Sequence, residues 1–126
     1  MNGRRRIFGF TLIELLVVMA IIATLLSIVA PRYFNQVVRA QESTLKQNLA
    51  IMRDALDKFH ADTGRWPESL DELVDRKYLR NIPKDPITES TETWTFEAPP
   101  EGDDGIYDVH SGAEGKDRDG VAYAEL

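Results

Sequence analysis

Residues 10–30 hold 21 consecutive positions with a single charge, Glu14. At about 1.5 Å per residue, such a run makes a helix of roughly 31 Å, the thickness of a bilayer hydrocarbon core. Pro31 closes the apolar run, yet helical patterning resumes without a loop. Leu45, Leu49, Met52, Leu56 and Phe59 follow one another by 4, 3, 4 and 3, which aligns them on one helix face. Phe34 and Val38 begin the same stripe. A proline at 31 removes the hydrogen bond to the Ser27 carbonyl, which predicts a kink and not a stop. The pattern therefore predicts one long helix from about residue 10 to residue 63. Its first half is apolar all round and its second half amphipathic, and Gly64 stops it.

Ser69 and Glu72 stand three apart before Leu73 and Val74, a capping-box signature for a short second helix. Residues 82–90 (IPKDPITES) carry two prolines and read as loop. Segments 93–97 (TWTFE), 106–110 (IYDVH) and 121–125 (VAYAE) alternate or carry β-formers, with turn residues between them. The expected fold class is α+β: a long kinked N-terminal helix packed on a small antiparallel three-stranded sheet.

A length of 126 residues allows one small domain plus an appendage. Hydrophobic residues at 43% and charged residues at 29% argue against wholesale disorder. The absence of cysteine removes disulfide scaffolds, CxxC redox sites and thiolate metal sites. A net charge of −6 speaks against a nucleic-acid groove. Charge is also uneven. Residues 32–84 carry ten basic and eight acidic side chains, whereas residues 85–126 carry two and twelve. Solubility explains this division, and so does complementarity between neighbouring copies in an assembly.

Catalytic signatures are missing. No GxSxG, P-loop or HExxH occurs. His60 and His110 lie in different elements, and their spacing gives no support to a zinc site. Ser111 adjoins His110, but adjacency in sequence is not triad geometry. Trp66 and Trp94 read as packing residues, with an interface anchor as the other option. The expectation is a protein that is not an enzyme.

Residues 1–9 (MNGRRRIFG) carry Arg4, Arg5 and Arg6 and no acid, which places the N-terminus in the cytoplasm and the C-terminus across the membrane. A secretory signal peptide also starts basic and turns apolar, but this run exceeds the usual length and no Ala-x-Ala pair closes it. A plain single-span anchor explains everything except Glu14. A carboxylate inside a span costs up to roughly 2.5–3.5 kcal/mol, less near an end. Either it reaches the headgroups or it meets a cation. Arg4–Arg6 could supply the cation by reaching inward. Cleavage before Phe10 would supply another, the new α-amino group of a neighbouring chain. In a low-dielectric bundle that attraction would fix axial register.

Residues 9–15, Gly9-Phe10-Thr11-Leu12-Ile13-Glu14-Leu15, after a short basic leader, resemble the class III signal of type IV pilins and pseudopilins. The resemblance implies cleavage between Gly9 and Phe10 by a prepilin peptidase, N-methylation of Phe10, Glu14 as the assembly glutamate and Pro31 as the helix-bending proline. It divides the chain into a leader peptide (1–9), a transmembrane and assembly helix (10–31) and a periplasmic domain (32–126). Pro83-Lys84-Asp85-Pro86, and residues 107–115 (YDVHSGAEG), resemble the loop and terminal strand of major pseudopilins of type II secretion. The lack of a C-terminal cysteine pair, which many adhesive pilins carry, points the same way.

In that family the C-terminal loop binds calcium. Here Asp108, Glu114, Asp117 and Asp119 are interleaved with Gly112, Gly115 and Gly120. Oxygen-rich ligands on a tight loop suit Ca²⁺, with Glu114, Asp117 and Asp119 as the expected ligands. Glu114 stands where the family usually has aspartate, and the segment after Lys116 is shorter. The expected protein is a pseudopilus subunit in the bacterial inner membrane. Its partners would be further copies of itself, minor pseudopilins, the assembly platform and the prepilin peptidase. Two other readings stay open: a type IV pilin for adhesion, motility or DNA uptake, and a monomeric calcium-responsive binding module on a membrane stalk.

Overall fold

The structure is a computed structural model that describes Gly3 and residues 9–126. The arginines at 4, 5 and 6, and the rest of the expected leader apart from its two glycines, lie outside the described residues. Two compact units divide the chain, Met1–Val37 and Val38–Leu126.

The first helix, α1, spans Leu12–Thr63 and passes through Pro31 without interruption, so the proline is no stop. Thr11 caps its start: the hydroxyl accepts the Glu14 N–H at 3.1 Å. Every residue from 9 to 40 is exposed. Polar side chains inside the apolar run satisfy themselves on the helix backbone. Thr24 donates to the Ala20 carbonyl at 2.8 Å, and Ser27 to the Thr24 carbonyl at 2.7 Å. Gly64 closes α1 in the left-handed conformation (φ 75°), donating to the His60 carbonyl at 2.8 Å.

The second unit holds the core. Leu45, Leu49, Met52, Leu56 and Phe59 are all buried, as their spacing predicts, and Ala55 joins them. Trp94, Ile106, Val109 and Tyr123 pack into the same cluster from the other elements. Phe34 and Val38 continue the sequence pattern but are exposed, because the buried stripe starts at Glu42 and Leu45. Helix α2 (Leu70–Asp75) begins at Ser69, whose hydroxyl accepts the Glu72 N–H. The return arm of the expected capping box is displaced by one residue: Glu72 Oε2 accepts from the Glu68 N–H at 2.9 Å. The 82–90 loop is pinned by an isolated bridge between Asp85 and Ser90.

The sheet has two strands, not the expected three. Strands β1 (Thr95–Glu97) and β2 (Asp108–His110) pair antiparallel, with Phe96 opposite Val109. Residues 121–125 form no third strand. Ala122 makes an isolated bridge with Lys116, and Tyr123–Glu125 is a 3₁₀ turn. The reason lies at Val109. Its N–H donates to Asp108 Oδ1 at 2.8 Å, and its carbonyl accepts from Arg53 Nη2 at 2.9 Å. Side chains thus occupy the groups that another strand would pair with. Residues 117–121 fold back on themselves, and Tyr123 donates its N–H to the Gly115 carbonyl at 3.1 Å.

Candidate functional site

The expected processing and assembly residues sit together at the head of α1. Gly9 is exposed, and a Cβ placed on it would meet nothing within 4 Å. The fold therefore imposes no need for glycine at 9. Phe10 is 86% exposed. Glu14 is the third residue of α1, in the first turn, where the helix dipole favours negative charge. Thr11 and Glu14 form a T-x-x-E capping signature. Only the threonine half of the box is made. Among the described residues, no hydrogen bond or ion pair engages the Glu14 carboxylate.

The three expected calcium ligands are not gathered at one point. Asp117 is buried, and its Oδ1 accepts the Asp119 and Val121 N–H groups, each at 2.9 Å. It organises its own loop, while Glu114 and Asp119 are exposed. A different trio places its ligand atoms within 4.8 Å of one another: Glu97, Asp108 and His110, on the sheet. The pairing of β1 with β2 brings these together, a register that the sequence does not print.

Two further constellations escaped sequence reading. Arg53, on α1, donates from Nε to Asp108 Oδ1 at 2.8 Å, and from Nη2 to the Val109 and Leu126 main-chain oxygens at 2.9 and 2.6 Å. Asp85 and Ser111 are fully buried, and the serine hydroxyl donates to Asp85 Oδ2 at 2.5 Å. Asp85 Oδ1 accepts the Ile87 N–H at 2.9 Å, and the Ser111 hydroxyl accepts from the Ala113 N–H at 3.1 Å. Ser111 is thus a structural tie. Trp94 is a core residue whose indole N–H reaches the Pro83 carbonyl at 2.8 Å. Half-buried His60 stacks on Trp66 with ring centroids 4.0 Å apart.

A membrane-length helix with outward apolar side chains, joined to a small α+β unit with its own core, defines a membrane-anchored subunit. Residues 4–30 match the prokaryotic N-terminal methylation motif. Type II secretion system core protein G of Pseudomonas aeruginosa is 30% identical, over 90% of this chain and 89% of that protein. The Aeromonas hydrophila core protein G is 29% identical, over 66% of this chain and 69% of its own. Fimbrial protein EcpC of Eikenella corrodens is 34% identical, over 59% of this chain and 52% of its own. No solved structure gives a significant match. The chain belongs to the pilin and pseudopilin superfamily, in the family of type II secretion system core protein G.

Proposed function

We propose that this chain is a structural subunit of a type II secretion pseudopilus, cut between Gly9 and Phe10 and N-methylated on Phe10 by a prepilin peptidase. Residues 10–31 then span the inner membrane with the cleaved end at the cytoplasmic face, and residues 32–126 stand in the periplasm. The observation that carries the reading is the extent of the likeness. It runs through nine-tenths of the chain for a core protein G, whereas the fimbrial match covers little more than half of each partner. The chemistry is done to the chain, not by it.

Glu14 is the assembly residue in this reading. Its carboxylate sits on the exposed first turn of α1, five positions into the apolar run. The α-amino group released at Phe10 of an adjacent copy is the cation that it meets. In a dry bundle that pair sets the axial register. Glu14→Ala is expected to be processed normally and to fail in polymerisation. Mass measurement of the membrane protein reports cleavage and methylation, and crosslinking in membranes reports the ladder of chain multiples. A normal ladder from Glu14→Ala overturns the role. Retention of residues 1–9 in the native host overturns the whole reading.

The family likeness also carries calcium as a ligand of the 114–120 loop. Glu114, Asp117 and Asp119 are its side-chain ligands in that reading, Asp117 through Oδ2 since Oδ1 holds two loop N–H groups, and other oxygens complete a 6–8-coordinate shell. Melting of the protein in calcium is then higher than in chelator, and less so for Glu114→Gln. An unchanged midpoint removes calcium from the account.

A further inference from the structure

We propose that Glu97, Asp108 and His110 bind a divalent transition ion of the zinc class on the face of the two-stranded sheet. Register sets Glu97 directly opposite Asp108, and His110 stands two residues further along the same strand, so all three share one face. Two carboxylates opposite one another repel unless a cation stands between them. Arg53 engages one oxygen, Asp108 Oδ1, and leaves Oδ2 to the cluster. His110 Nε2 lies 3.3 Å from Glu97 Oε2 and 3.5 Å from Asp108 Oδ2.

The other ring nitrogen fixes the proton. Nδ1 is 3.1 Å from the Leu126 main-chain oxygen, which can only accept, so Nδ1 carries hydrogen and Nε2 is the ring nitrogen turned to the two carboxylates. Nε2 and the two carboxylate oxygens thus converge on one point. A proton on Nε2 would relieve this, and so would a metal ion. The separations favour the ion. Charge-assisted N–H···O bonds close to about 2.7–2.9 Å. Ligands bound about 2.0–2.2 Å from a tetrahedral ion stand roughly 3.3–3.6 Å apart, which is the spacing of His110 Nε2 from each carboxylate oxygen. One imidazole with two carboxylates suits zinc better than calcium, and a main-chain oxygen holding the far side of the ring is the common support of a metal-bound histidine. This site is distinct from the 114–120 loop and stands whether or not the chain polymerises.

The test uses the full-length protein in detergent, stripped with chelator and titrated with zinc chloride at about pH 7.5. Bound metal is counted after gel filtration, and the His110 ring nitrogens are followed by NMR. One zinc per chain is expected, with a shift at Nε2. Binding weakens about tenfold or more in His110→Ala and in Glu97→Gln. Glu97 is exposed, so its glutamine variant keeps the fold and decides the matter. Equal binding by both variants places the metal elsewhere and overturns the proposal. No bound zinc overturns it too.

Discussion

Ser111 shows how a residue that looks chemical in a sequence becomes structural in a fold. It neighbours a histidine, yet its hydroxyl points to Asp85, twenty-six residues away, in a region from which water is excluded. The pair ties the 82–90 loop to the segment after β2, and Ala113 and Ile87 complete the hydrogen bonding. Ser111→Ala removes the partner of a buried carboxylate oxygen and strands the Ala113 N–H. An unsatisfied buried group costs about 1–3 kcal/mol, more when charged. Chemical denaturation of Ser111→Ala is therefore expected to show a loss of about 2 kcal/mol or more; a change below about 0.5 kcal/mol would mean that the site relaxes or hydrates. Gly112 beside it is constrained sterically, since a Cβ there would lie 2.0 Å from the Thr93 carbonyl oxygen. Neither constraint is visible in sequence, because both depend on which distant segment arrives alongside.

Elements with local causes were legible, and elements with tertiary causes were not. The long helix, its end at Gly64, the Ser69 cap and the buried stripe all follow from periodicity and capping chemistry within a few residues of where they act. The third strand failed because Arg53 and Asp108 side chains occupy Val109, and β-propensity in 121–125 cannot outbid a filled edge. Of the candidate residues, Gly9, Phe10 and Glu14 stand in one contiguous motif that a sequence displays, while the sheet trio needs a strand register. Around α2 an ionic consequence follows. The Arg65 guanidinium, then the Glu68 N–H, hold the Glu72 carboxyl below the usual carboxylate range. A depressed folded pKa contributes stability that is complete above the unfolded value of about 4.3 and is lost as pH falls through the folded value. Wild type should thus lose stability on acidification faster than Glu72→Gln, with the two converging below that window. Salt should shrink the difference, because the Arg65 side chain is about half exposed. Parallel acid titrations of melting temperature would expose a wrong assignment.

At the scale of the whole molecule, the two units make opposite demands on their solvent. Residues 10–30 present an exposed apolar surface with one charge, Glu14, which water does not tolerate over such a length. The core cluster, by contrast, begins at Leu45 and is drawn wholly from the second unit. Removing residues 1–31 deletes no member of that core and none of the hydrogen bonds made by Arg53, Asp85, Ser111 or Asp117. A fragment of residues 32–126 should therefore fold alone, melt cooperatively in plain buffer, and reach a midpoint within a few degrees of the full chain in detergent. It should also run as a monomer, because it lacks both the apolar surface and Glu14. Its net charge of −8 (twelve basic against twenty acidic residues) adds repulsion between copies. Sedimentation at low and high salt tests this directly. Association that persists in the fragment would transfer the assembly contacts from the apolar helix to the outer unit, and Glu14 would lose its place as the residue that joins one copy to the next.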